Sequence, residues 1–170
     1  VDAAASPAAT RHISRQARAV GVPVITVSAT YGGYGGTITT QAVDVGSACW
    51  ACVQLLQEEH AITWPPQSTK AADQAGCSMT GAVSFPGSAV DLADVSAAAA
   101  RAALHAAATP PTTTTVAVLA LRDDDGRPHR PMWTSHDDRR PHLDCRYHPR
   151  THGAPVLDPT VAAQTETTNV

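Results

Sequence analysis

The chemistry in this sequence is concentrated in sulfur and imidazole. Cys49 and Cys52 form a Cys-x-x-Cys pair, and much later in the chain Cys145 and His148 form a Cys-x-x-His pair. Two ligands two residues apart are what a tight turn needs to aim both at one ion. Two such pairs complete a Cys3His set of the kind that holds tetrahedral zinc. All four positions would be filled by protein, so such a site staples the chain and keeps no open position for catalysis. Other readings stay open. A Cys-x-x-Cys can be a redox pair, as it is after a strand at a helix N-terminus in a βαβ setting, although that use leaves Cys145 and His148 unexplained. A disulfide belongs to a secreted protein, which nothing here suggests. Coincidence would have to produce both pairs.

The other candidates are more dispersed. Cys77, in QAGCSMTGAV, reads as a small buried hydrophobe rather than a nucleophile. His129, His136, His142 and His152 surround the second pair in a Pro-rich stretch with Arg127, Arg130, Arg139, Arg140, Arg146 and Arg150. That stretch reads as a solvated polar loop, with a small anion-binding patch as the alternative.

The elements that must position these residues are legible in outline. Over residues 8–20, Ile13, Ala17 and Val20 recur at helical spacing, with Thr10 as N-cap and Gly21 followed by Pro23 as the stop. Residues 22–30, VPVITVSAT, predict a strand buried on both faces, so that helix, Gly and strand make half of a βαβ unit. YGGYGG is a turn, read either as a backbone approach to a ligand or as a bend or bulge between strands, and residues 37–45 resume a β-like pattern. Residues 53–76 read as a crossing loop with a short helical start. A longer helix follows, capped by Ser88 with Asp91 three residues on. It packs through Leu92, Val95, Ala99 and Ala103, and Pro110 and Pro111 end it. Residues 112–121 and 129–134 then form a β-hairpin with Asp125 and Gly126 at its tip.

The chain has 170 residues, 43% hydrophobic and 16% charged, with only 4% aromatic. That is enough for one domain, whose core is filled with alanine and other small residues. A formal net charge of −3 gives no general attraction to nucleic acid or to anionic lipid. No apolar run has the length of a membrane helix and no signal-peptide pattern opens the chain, so no nucleic acid, no membrane and a cytoplasmic location are expected. The start at Val1, within what reads as a structured pattern, suggests a fragment or a processed piece. Residues 155–170 lack periodicity and are expected to be a disordered tail after a domain over residues 1–154.

The order of these features resembles the ThiF/MoeB/HesA-type E1-like adenylating enzymes. Asp2, then TRHISRQARAVGVPVITVSATYGGYGGTITT, then Cys49 and Cys52 look like the family's strand-end Asp, Arg-bearing helix, G-x-P-x-I strand, glycine before a β-segment and first zinc pair. GCSMTGAVSFPGSAVDLADVSAAAARAALH looks like its Gly-rich turn and packing helix. The hairpin followed by HLDCRYHPR looks like its last strands and second pair, with His148 where a Cys is usual. The resemblance spans residues 2–150. It implies the latter half of a Rossmann-like E1 adenylation domain with a C-terminal β-hairpin and a structural zinc held by Cys49, Cys52, Cys145 and His148.

The activity it implies is activation of the C-terminal carboxylate of a ubiquitin-like protein or peptide as an acyl-adenylate, using ATP and Mg2+. The alternative is a non-catalytic, zinc-stapled module that binds a partner protein or a peptide leader. Asp2 would be the catalytic carboxylate and Arg11 a helix anchor, and a homodimer would follow the family's habit. Two departures stand out: Ala5 occupies the place of the family's second Asp, and the family's Gly-rich nucleotide loop has no counterpart in these residues. This chain alone is therefore expected to be inactive.

Overall fold

The computed structural model describes residues 1–3, 6–30, 33–66, 89–123 and 125–148. In chain order the elements are α1 (Pro7–Ala19), β1 (Val24–Ala29), β2 (Gly35–Gln41), α2 (Trp50–Glu58), α3 (Ala89–Ala108), β3 (Thr114–Arg122) and β4 (Pro128–Arg139). The four strands form one sheet in the order β1-β2-β3-β4, with every neighbouring pair antiparallel. A parallel bridge joins Asp2 to Thr26 on β1. The chain is thus a mixed α/β fold on an antiparallel sheet.

α1 begins a turn earlier than the sequence suggested. Ser6 is the N-cap, accepting from the Ala9 N–H at 3.4 Å, and Pro7 takes the first helical position, where its missing N–H costs nothing. Thr10 lies inside the helix and is buried. The helix closes as expected at Gly21, whose φ of +70° lets its N–H reach the Arg18 carbonyl while the Val22 N–H reaches that of Ala17. Its buried face is polar, made by Thr10 and Ser14, whereas Ile13 and Val20 are exposed. The reason is Gln41: the Ser14 hydroxyl donates to Gln41 Oε1 at 2.5 Å, and Gln41 Nε2 returns to the Ser14 carbonyl at 3.3 Å.

β1 is shorter than expected and is not buried on both faces. Val24 and Ile25 are covered, but Ser28 and Ala29 are exposed. Next to it, Gly33 supplies the turn with φ of +69°, and Gly35 and Gly36 lie within β2. A Cβ on Gly35 would sit 2.0 Å from the Leu119 carbonyl oxygen, and one on Gly36 would sit 2.7 Å from that of Ser28. These two glycines serve close approach between strands, not to a ligand.

Helices cover both faces of the sheet. Because side chains alternate along a strand, Ala117 and Leu119 of β3 face α3 while Val116 and Val118 face the opposite way. On the first face Ala99 and Ala106 pack on Ile25 and Ile38, and Val95 packs on Leu119 and Leu121. Small residues let this 20-residue helix lie close to the strands. Asp91 in its first turn pairs with Arg122 at 3.0 Å, and Pro110 and Pro111 follow its end. On the second face Val53 and Ile62 pack on Val116 and Val118, with Leu56 beside them. α2 thus lies where a loop with a short helical start was expected.

The hairpin is present, with Gly126 at φ of +82° in its turn. β4 runs to Arg139, beyond the expected end at residue 134, and most of its side chains are exposed. Among the described residues no helix is long and apolar enough to cross a membrane. Cys77, the Ser88 cap, Arg150, His152, the loop over residues 67–76 and the tail over residues 155–170 lie outside the described residues.

Candidate metal centre

The first pair is positioned by a helix start. Cys49 occupies the N-cap position of α2 with extended backbone, and Cys52 lies one turn on, so their sulfurs stand 3.7 Å apart. The loop leading into this turn is fixed from β3. Thr114 Oγ1 accepts from the Ala42 N–H at 3.2 Å and donates to the Ala48 carbonyl at 2.7 Å, and the Ala48 N–H donates to the Arg139 carbonyl at 2.7 Å. The Trp50 N–H, a helix-end donor with no partner in its own helix, is met by Gln41 Oε1 at 3.0 Å. Gln41 therefore joins α1, β2 and the start of α2.

The second pair comes from turns after β4. The Cys145 N–H donates to the His142 carbonyl at 3.0 Å and the His148 N–H to the Cys145 carbonyl at 3.2 Å. This brings Cys145 Sγ to 3.6 Å from Cys49 Sγ. One donor atom from each of Cys49, Cys52, Cys145 and His148 lies within 4.8 Å of all the others. The three cysteines are buried and free. A tetrahedron with metal–sulfur arms of about 2.3 Å has edges of about 3.8 Å, close to the spacing of Cys49 Sγ from the other two sulfurs. The sequence-predicted set is brought together whole, and a metal ion would fit it.

The thiols share protons unequally. A hydrogen bond from Cys52 lowers the Cys49 pKa to about 4, and the same bond together with burial pushes Cys52 up. Burial pushes Cys145 up. The α2 N-terminus adds positive potential beside Cys49. The pair therefore does sit at a helix N-terminus, as a redox dithiol would. Against that use, both sulfurs are covered, and a third sulfur and an imidazole complete a ligand shell around them.

A second group, Glu59, His142 and Asp144, is also close enough to share an ion. Its hydrogen bonds give it a different task. The Asp144 N–H donates to His142 Nδ1 at 3.1 Å, so Nε2 carries the ring proton and donates it to Glu59 Oε2 at 2.9 Å. This contact ties the segment before Cys145 to the end of α2 and offers no free imidazole lone pair.

Some of the basic residues around the second pair lie along a strand and not in a loop. Arg130, His136 and Arg139 belong to β4, and Arg146 stacks on Tyr147 at 5.0 Å. His136 Nδ1 lies 3.1 Å from Arg139 Nη2, and burial followed by that guanidinium lowers its pKa. Asp2 is buried at 3% exposure and lies outside the cluster. Its N–H donates to the Ile25 carbonyl at 2.8 Å, and its carbonyl accepts from the Val27 N–H at 3.0 Å.

The sequence reading missed the side of α1 that faces this centre. Arg11 lies over the Trp50 ring at 6.0 Å, Arg15 over Tyr147 at 5.2 Å, and Arg18 Nη1 reaches His148 Nε2 at 3.0 Å. Spacings of four and three put them on one helix face. The three arginines carried that signal, and the expected anchor Arg11 is the first of them. No protein-family model matches the chain, and a search of curated proteins finds no match.

Proposed function

We propose that this chain is the latter portion of a cytoplasmic, ThiF/MoeB/HesA-type adenylating enzyme that activates the C-terminal carboxylate of a ubiquitin-like protein or peptide. Zinc held by Cys49, Cys52, Cys145 and His148 staples it. The observation that carries the reading is the convergence of the two separated pairs, because the ordered combination of elements around those pairs is what carries the resemblance. Two further features support it. Asp2 makes an isolated parallel bridge to Thr26 of β1 across α1, the one parallel pairing beside an otherwise antiparallel sheet among the described residues. Beside it lies a cavity of about 630 Å³, lined by Ala3, Ser6, Thr26, Gln57 and Trp64 among others. Gln57, on the cavity wall, is buried, and its Nε2 has no hydrogen-bond partner among the described residues.

The zinc would supply a fixed tetrahedral joint between α2 and the segment after β4, with no open position for substrate. For ATP and Mg2+ the chain offers the Asp2 carboxylate, with Ala5 where a second would stand and no Gly-rich phosphate loop. In this reading these residues supply the staple, the sheet and the cleft. The test is ATP–pyrophosphate exchange by the full-length gene product with candidate carboxylate partners. Partner-dependent exchange supports the reading.

The burial of Asp2 and the presence of Ala5 favour a second reading, a non-catalytic zinc-stapled module that binds a partner protein or peptide leader. It predicts saturable peptide binding with no ATP turnover.

A further inference from the structure

We infer that Arg18 is a positioning and charge-balancing residue of the metal centre, an inference that rests on the metal reading of the Cys3His cluster. Three thiolates, one neutral imidazole and one divalent zinc sum to a net charge of about −1, and a covered site of that charge calls for a cation at its edge. Arg18 occupies that place. It lies in the last turn of α1, and its side chain bonds both arms of the cluster. Nη1 reaches His148 Nε2 at 3.0 Å, while Nη2 donates to the Ser47 carbonyl at 2.6 Å and to the Asp44 carbonyl, in the loop that leads into Cys49.

A guanidinium has donors only, so the contact with His148 makes Nε2 the acceptor and leaves it unprotonated, the form in which an imidazole ligates. A metal ion would take over that lone pair. The two carbonyl bonds then hold the guanidinium in place, and Nη1 is left facing a thiolate-rich centre. Two effects of removing Arg18 oppose each other. One donor competing for His148 disappears, which favours the metal. A whole positive charge beside an anionic cluster is lost, together with the tie to the Cys49 loop, and this disfavours it. A hydrogen bond to a neutral nitrogen is the weaker of these interactions, so the net effect is loss of affinity.

The neighbouring arginines support the assignment. Arg11 and Arg15 engage the rings of Trp50 and Tyr147, residues adjacent in sequence to the ligands Cys49 and His148. α1 thus presents one cationic face to the whole centre, with Arg18 as the member that touches a ligand.

The test measures Zn2+ affinity by chelator competition, and Co2+ absorption of the substituted protein, for the parent, Arg18→Met, Arg18→Lys and the control Cys145→Ser/His148→Ala. Arg18→Met is expected to bind about 10–100-fold more weakly, the range for losing an outer-shell group, here the charge and the two bonds to the Cys49 loop. Its Co2+ spectrum should shift as the loop into Cys49 loosens and the charge beside the thiolates is lost, with circular dichroism unchanged. Arg18→Lys keeps the charge and is expected to recover part of the loss. It also decides the matter if the Met variant does not fold, because a Lys variant that folds and binds as tightly as the parent overturns the demand for the planar, doubly tied guanidinium. Parent-like affinity and spectrum in Arg18→Met overturn the role of Arg18 alone. A parent that binds no more metal than the double control overturns the metal reading, and this inference with it.

Discussion

Cys49 and Cys145 are ninety-six positions apart in sequence, yet their sulfurs lie 3.6 Å from each other and both are buried. The contact joins the start of α2 to the segment that follows the sheet's edge strand. The Thr114 hydroxyl, donating to the Ala48 carbonyl, holds one side, and the backbone bond from the Cys145 N–H to the His142 carbonyl holds the other. The first side is thus fixed by residues of the sheet and the second by its own turn, so the sheet sets where the two pairs meet. From the four-ligand count, purified protein should contain about one zinc per chain by elemental analysis. Cys145→Ser/His148→Ala should remove it, and unchanged metal content in that variant would sink the assignment.

Chelation should cost stability as well as metal. Binding that favours the folded chain contributes about 4 kcal/mol when the free ion is about 1,000-fold above its dissociation constant. The described fold has a thin core of small residues near this end, where Ala48, Cys49, Cys52 and Cys145 are the buried members of the cluster. Thermal melts with and without a strong chelator should therefore show a midpoint lowered by several degrees, restored by added zinc. Coincident melts would mean that the cysteines hold this end without an ion.

Much of the ligand set was legible because each pair is a local spacing, readable without knowing the fold. The same holds for α3, whose alanine-rich face and terminal diproline belong to one contiguous stretch. What resisted reading was decided by partners distant in sequence. Ser14 is buried against Gln41, and Thr10, one turn earlier on the same face, is buried too, so α1 hides a polar face that hydrophobic periodicity cannot show. α2 was obscured because its first turn is also the Cys-x-x-Cys. β4 extends to Arg139 as an exposed edge strand, where nothing enforces the alternation that marks a half-buried one. The antiparallel order follows from pairings between β2 and β3, which α2 and α3 separate in sequence.

Gln41 offers a test of that polar joint. It is 1% exposed, and its Oε1 receives both the Ser14 hydroxyl and the Trp50 N–H. Gln41→Leu keeps the bulk and leaves both donors buried without it, at about 1–3 kcal/mol for each unsatisfied group. The urea midpoint should fall accordingly, and zinc content should fall with it because Trp50 follows Cys49 directly. Ser14→Ala removes one donor together with its need and should cost less. Equal effects of the two substitutions would show that Trp50 does not depend on Gln41.

The glycines of β2 give the sharpest steric prediction. A Cβ on Gly35 would meet the Leu119 carbonyl oxygen at 2.0 Å, an atom of the neighbouring strand's backbone that cannot rotate aside. On Gly36 the nearest atoms are the Ser28 carbonyl oxygen at 2.7 Å and Val95 Cγ1 at 2.9 Å, the latter on a side chain that can shift with α3. Gly36→Ala should therefore cost about 1–3 kcal/mol, the range of overpacked sites. Gly35→Ala should cost more, because β2 and β3 have to separate there. If chemical denaturation ranks the two in the opposite order, the β2–β3 spacing at Leu119 is looser than the register implies, and the hairpin side of the sheet yields before α3 does.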